Sequence, residues 1–145
     1  MKRLCILHFL LLTCTSYANG HDADAGEALY KTKCAVCHGI SGGMDTNKRL
    51  APPIAAVRMH SIDAYADEAS FVDAVSNWVV KPDESKTRMR GAIRKFKIMP
   101  LLGVSKADAE KIATYLYAGD LEKPEGMDKH VEERHGKKPM PENSH

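Results

Sequence analysis

Cys34-Ala35-Val36-Cys37-His38 is the stretch that decides how the rest of the chain is read. Two cysteines with two residues between them, followed at once by a histidine, form the C-x-x-C-H pattern of covalent haem attachment. The intervening pair completes about one helical turn, which lets both thiols reach vinyl groups on one edge of a porphyrin. The next residue then presents an imidazole to the iron. Two other chemistries use a close cysteine pair. A structural zinc site needs about four ligands, and no second pair follows. A redox dithiol sits at the end of a βα unit, and no such unit is visible.

The chain around this motif has 145 residues, enough for one domain. The other two cysteines, Cys5 and Cys14, lie near the start. Lys2 and Arg3 precede an apolar run from Leu4 to Leu12, interrupted by His8, and Ser16-Tyr17-Ala18 ends in a small residue. The expectation is a secretory signal over 1–18, cleaved after Ala18. The run is too short to cross a bilayer. Acylation at Cys14 is the competing reading, against which Thr13 is a bulky predecessor. After cleavage only the motif cysteines remain, so the haem itself is the cross-link. Export and thiol-attached haem support each other, because such attachment occurs outside the cytoplasm. The full chain carries 21 basic and 19 acidic residues, and losing Lys2 and Arg3 leaves 19 of each. This balance excludes a nucleic-acid footprint.

In chain order, residues 19–24 read as a polar lead-in, and a first helix starts near Asp24 and runs through Lys33. Gly26 and Tyr30 are four apart and share a face. A glycine in a first helical turn costs about 1 kcal/mol against alanine, so it marks either a cap or a close helix crossing. Gly39, Gly42 and Gly43 break the chain after His38. Ala51-Pro52-Pro53-Ile54 reads as a rigid loop. Asp67 caps a second helix through Val80, with Phe71, Val75, Trp78 and Val79 at helical spacing. Lys81-Pro82-Asp83 closes it. Lys86, Arg88, Arg90, Arg94, Lys95 and Lys97 then surround Met89, Ile93 and Phe96, with a short helix over 92–96. They form either a solvated face or a positive rim for an acidic partner. Ser105 caps a last core helix, with Asp108 in the shorter form of a capping box, and Gly119 stops it. Residues 120–145 read as a polar charged tail, with one polar helix over 125–134. Its histidines, His130, His135 and His145, read as solvated.

With these elements in place, the sequence over 24–117 resembles the class I cytochromes c. In that family a glycine stands eight residues before the first haem cysteine and an aromatic four before it, as Gly26 and Tyr30 do before Cys34. The resemblance implies that they pack on a C-terminal helix through Ile112 and Tyr115. It implies that the Pro52 carbonyl accepts from Nδ1–H of His38 and that Ile54 packs on the haem. It also implies a methionine ligand from the loop before the last helix. Met99, followed by Pro100, fits that loop better than Met44, Met59 or Met89, because Arg90 follows Met89. Arg58, His60 and Trp78 are candidate propionate partners.

The fold expected is all-α: a single cytochrome c-like domain over 19–119, packed around one haem c bound through Cys34 and Cys37. His38 and Met99 are the expected iron ligands. With both axial positions filled by protein, the resemblance implies a monomeric periplasmic electron carrier and not an enzyme. Its partners would be redox proteins, with no nucleic acid and no integral membrane segment. A dedicated haem subunit of one oxidoreductase, or a ligand-binding haem protein with an open sixth site, are the alternatives.

Overall fold

The structure, a computed structural model, describes residues 18–136. The expected signal segment apart from Ala18, the acylation alternative at Cys14, and the last nine residues lie outside the described residues. Within them there are seven α-helices and no strand. They are α1 (Ala18–Lys33), α2 (Ala35–His38), α3 (Ile54–Ile62), α4 (Glu68–Val80), α5 (Arg90–Phe96), α6 (Lys106–Ala118) and α7 (Met127–His135).

Helix α6 is the hub. Helices α1 and α4 both pack along it, and α3 touches it as well. It can serve three neighbours because Ala109, Ile112, Ala113, Tyr115 and Leu116 are all buried, a wide apolar stripe at helical spacing. Its start is set by Ser105. The hydroxyl accepts from Asp108 N–H at 3.1 Å and donates to Asp108 Oδ2 at 2.9 Å. The box thus closes through the serine hydroxyl and not through its backbone N–H. Its end is set by Gly119, whose N–H donates to Tyr115 O at 2.7 Å. Gly119 is extended, not left-handed.

Helix α1 meets α6 at Gly26, where a Cβ would overlap the Lys111 carbonyl oxygen and stand 2.9 Å from Tyr115 Cβ. One turn on, the rings of Tyr30 and Tyr115 lie 5.7 Å apart, tilted at 36°. The glycine is there for a close crossing and not for a cap. Helix α1 begins at Ala18, six residues before the expected start, and Asp24 lies inside it. Once the turns at Gly26 and Tyr30 are docked the nucleation cost is met, and each added N-terminal residue gains a backbone bond. Lys31 and Lys33 favour its C-terminal end.

Helix α4 is capped as expected: Asp67 Oδ1 accepts from Ser70 N–H at 2.8 Å. Phe71 is buried between Tyr117 and Tyr65, at ring distances of 5.4 and 6.1 Å. Buried Ser76 accepts from Lys106 Nζ at 2.6 Å, tying α4 to α6. Helix α3 was not expected. The two prolines do not merely stiffen a loop; Pro53 stands immediately before the first helical residue. There a ring with φ near −60° starts a helix well, and the missing N–H costs nothing.

The segment read as a charged tail enters the core. Leu121, Pro124, Met127 and Val131 are buried, and Leu121, Met127 and Val131 join the cluster that holds Tyr30, Cys34, Ile54 and Ile112. Met127 and Val131, four apart, form the inner face of α7. The left-handed Gly126 at its start has φ of 81°, and the chain there passes close to Gly43 and Met44. Charged residues cover the outer side, which is why composition alone read the segment as solvated.

Candidate functional site

The motif forms one tight turn on the end of α1. Cys34 N–H donates to Tyr30 O at 2.8 Å, and His38 N–H donates back to Cys34 O at 2.9 Å. Cys34, Cys37 and His38 are therefore brought together by backbone bonds alone. Both cysteines are free thiols, Cys34 buried and Cys37 half-buried. Burial pushes the Cys34 thiol up to about 11, with proximity to Cys37 adding to it. Reactive redox thiols shift the opposite way; the direction at Cys34 is that of a buried, unactivated thiol. Among the described residues no three His, Cys, Asp or Glu side chains converge to hold a metal ion.

His38 Nδ1 lies 2.8 Å from the carbonyl oxygen of Pro52, fourteen residues on. A carbonyl only accepts, so Nδ1 carries the proton and Nε2 keeps its lone pair. The pairing is the one that the sequence resemblance implied. Burial holds the imidazole below its usual pKa, opposed by this bond and reinforced by the nearby Arg49 cation. Burial thus favours the neutral ring, the form in which an imidazole can bind a metal. The Tyr30 hydroxyl donates to His38 O at 3.3 Å, linking the His38 backbone to the α1–α6 crossing.

Arg49 was not singled out by its sequence. Its side chain is buried and makes four hydrogen bonds, all to backbone carbonyls. Nε donates to Ala51 O at 3.1 Å. Nη1 donates to Ser41 O at 2.8 Å and to Gly43 O at 2.9 Å, and Nη2 donates to Gly39 O. The guanidinium stitches the loop that leaves His38 to the loop that ends at Pro52. No spacing rule marks such a residue, because all its partners are backbone.

Met99 lies on the connection between α5 and α6, away from the motif turn in sequence, and is half-buried. The chain leaves α5 through Lys97, whose φ of 69° and ψ of 179° fall in a region that suits glycine. Such a backbone costs on the order of 1–3 kcal/mol, and it turns the chain sharply into Ile98-Met99-Pro100. Met89 packs against the core cluster, and Met59 is buried inside it.

The residues present suit a haem. The donor set is two thiols and a neutral imidazole whose Nε2 is left unprotonated by the Nδ1 bond to Pro52. Two large apolar side chains stand outside the core: Leu50, just before the Pro52 loop, is 70% exposed, and Leu101, just after Met99 and Pro100, is 74% exposed. Of the candidate propionate partners, Arg58 gives Nη2 to Tyr117 O at 2.8 Å, while its Nε is buried with no hydrogen-bond partner. A buried donor of this kind suits an anionic oxygen. His60 lies in the last turn of α3, and Trp78 is half-buried on α4.

A family model described as Cytochrome c matches residues 23–119. No curated protein and no solved structure matches the chain. The match ends at Gly119, so α7 and the strand of chain leading to it lie beyond the matched region although they share its core.

Proposed function

Since the chain belongs to the cytochrome c family and is a haem-binding electron-transfer protein, we propose that it is a periplasmic monohaem carrier of single electrons. In this reading Cys34 and Cys37 hold one haem c through thioether bonds, and His38 and Met99 are its axial ligands. The haem supplies reversible one-electron Fe(III)/Fe(II) exchange. Everything else falls to the chain.

The observation that carries the reading is the bond from His38 Nδ1 to Pro52 O. It fixes the tautomer, leaves the Nε2 lone pair available to a metal and would raise the ligand's basicity. Met99 is favoured over Met89 because Met89 packs against the core cluster, whereas Met99 sits on a sharply turned, proline-stiffened connection. A thioether ligand and apolar surroundings favour Fe(II), which sets a raised potential. With two protein ligands the iron offers no site for substrate. Arg58, through its buried Nε, is the best candidate for pairing with a propionate.

Lys86, Arg88, Arg90, Arg94, Lys95 and Lys97 are all exposed on and around α5. This suits electrostatic steering toward an acidic redox partner. No helix among the described residues is long and apolar enough to cross a membrane. Export through cleavage after Ala18 remains part of the proposal.

Mass spectrometry of protein from a host that attaches haem tests it. The expected mass is a chain starting near Asn19 plus one haem that survives acid-acetone extraction. An extractable haem would overturn thioether attachment, and a lipid-modified Cys14 would replace the freely diffusing carrier by an anchored one.

A further inference from the structure

We propose that Arg49 is the positioning residue for His38: its guanidinium clamps together the two backbone segments whose separation sets the His38–Pro52 hydrogen bond. The inference rests on the reading that His38 ligates the haem iron. A ligating imidazole is oriented and tuned by the acceptor of its other N–H. Here that acceptor is a backbone carbonyl, so no side chain of Pro52 adjusts it. The bond is only as well placed as the two loops that bear its ends.

Neither loop is held by regular structure. Residues 39–44 are turns and bends, and residues 49–53 have no helix or strand. Arg49 supplies the missing frame. Gly39, which receives Nη2, directly follows His38. Ala51, which receives Nε, directly precedes Pro52. Ser41 and Gly43 share Nη1 and fix the loop between. One rigid planar group therefore reaches from the residue after the ligand to the residue before its acceptor. A buried guanidinium is costly unless its donors are satisfied, and here they are satisfied by the very carbonyls that need placing. Only arginine has the fork to do this; a lysine brings the charge to a single point.

The experiment uses the haem-loaded full chain and its Arg49→Lys and Arg49→Gln variants. Three quantities are read: the hyperfine-shifted proton signals of the His38 ring in the ferric protein, the reduction potential, and the urea midpoint. The clamp predicts that both variants move the His38 ring signals and the potential. Lys106→Met, which breaks the contact to Ser76 between α6 and α4, should lower the urea midpoint and leave the His38 signals in place. If both Arg49 variants lower the midpoint with ring signals and potential as in the parent, Arg49 is only a stabiliser and the proposal is overturned. If Arg49→Lys matches the parent and only Arg49→Gln shifts, charge and not the fork is responsible, and the proposal is likewise overturned.

A second measurement on the parent protein stands even if a variant fails to retain haem. A clamped guanidinium should show separate, slowly exchanging Nη proton signals; a single averaged signal would overturn the clamp. Absence of any axial-histidine ring signals in the parent would count against ligation by His38 itself, while the Arg49 protons would still report on the clamp.

Discussion

The backbone of Gly26 in α1 runs so close to the Lys111 carbonyl of α6 that a Cβ at Gly26 would overlap the oxygen. The neighbour is backbone of the hub helix and cannot swing aside as a side chain could. The two helices must therefore separate if the residue grows. Gly26→Val should lower the urea midpoint of the haem-loaded protein. Overpacking typically costs about 1–3 kcal/mol, and a clash with backbone belongs at the upper end. Gly26→Ala should give a smaller change in the same direction. An unchanged midpoint for the valine variant would mean that the helices do not meet here.

Tyr30 predicts an alkaline loss of stability. Burial, followed by the neighbouring Tyr115, pushes its phenol from 10.0 up to about 12. The Cys34 thiolate also contributes to that rise, and thioether formation would remove this part. Between those pH values the unfolded chain releases the proton and the folded chain keeps it. Folding stability should thus be complete below pH 10 and decline toward pH 12. Two units correspond to at most about 2.7 kcal/mol. Urea titrations from pH 9 to 12 should show a steeper decline for the parent than for Tyr30→Phe. Parallel curves would mean that Tyr30 does not titrate in this range.

The segment beyond the family match should be needed for stability. Met127→Ala removes a side chain buried in the main cluster, and Met→Ala in a core costs roughly 2–5 kcal/mol. Lys129→Ala, exposed two residues on, should stay within about 0.5 kcal/mol of the parent. Equal urea midpoints for the two variants would return α7 to the status of a solvated appendage.

What was legible in the sequence was what short-range chemistry marks. The caps at Asp67 and Ser105, the stop at Gly119 and the helical stripe of α6 are local signals, and each stands in the structure where the residues indicate. The His38–Pro52 bond was legible through the family resemblance, because no local pattern spans a separation of fourteen positions. Three features escaped. Helix α3 was hidden because prolines mark the start of a helix as readily as its end. The core role of Leu121, Met127 and Val131 was masked by the charges between them. Arg49 had no signature, since its partners are four carbonyls whose positions exist only once the loop is folded.

Ligation by Met99 tests the electron-carrier account most directly. The ferric protein should show the weak far-red band of sulfur–iron charge transfer. Met99→Ala should abolish that band, admit imidazole to the sixth position and lower the potential, because the thioether that favours Fe(II) is gone. Met89→Ala should keep the band, since Met89 packs against the core. If Met89→Ala removes it instead, the ligand assignment is wrong. If neither change alters the spectrum and the parent already binds imidazole readily, the iron is open, and the account of a carrier with both axial positions filled by protein is contradicted.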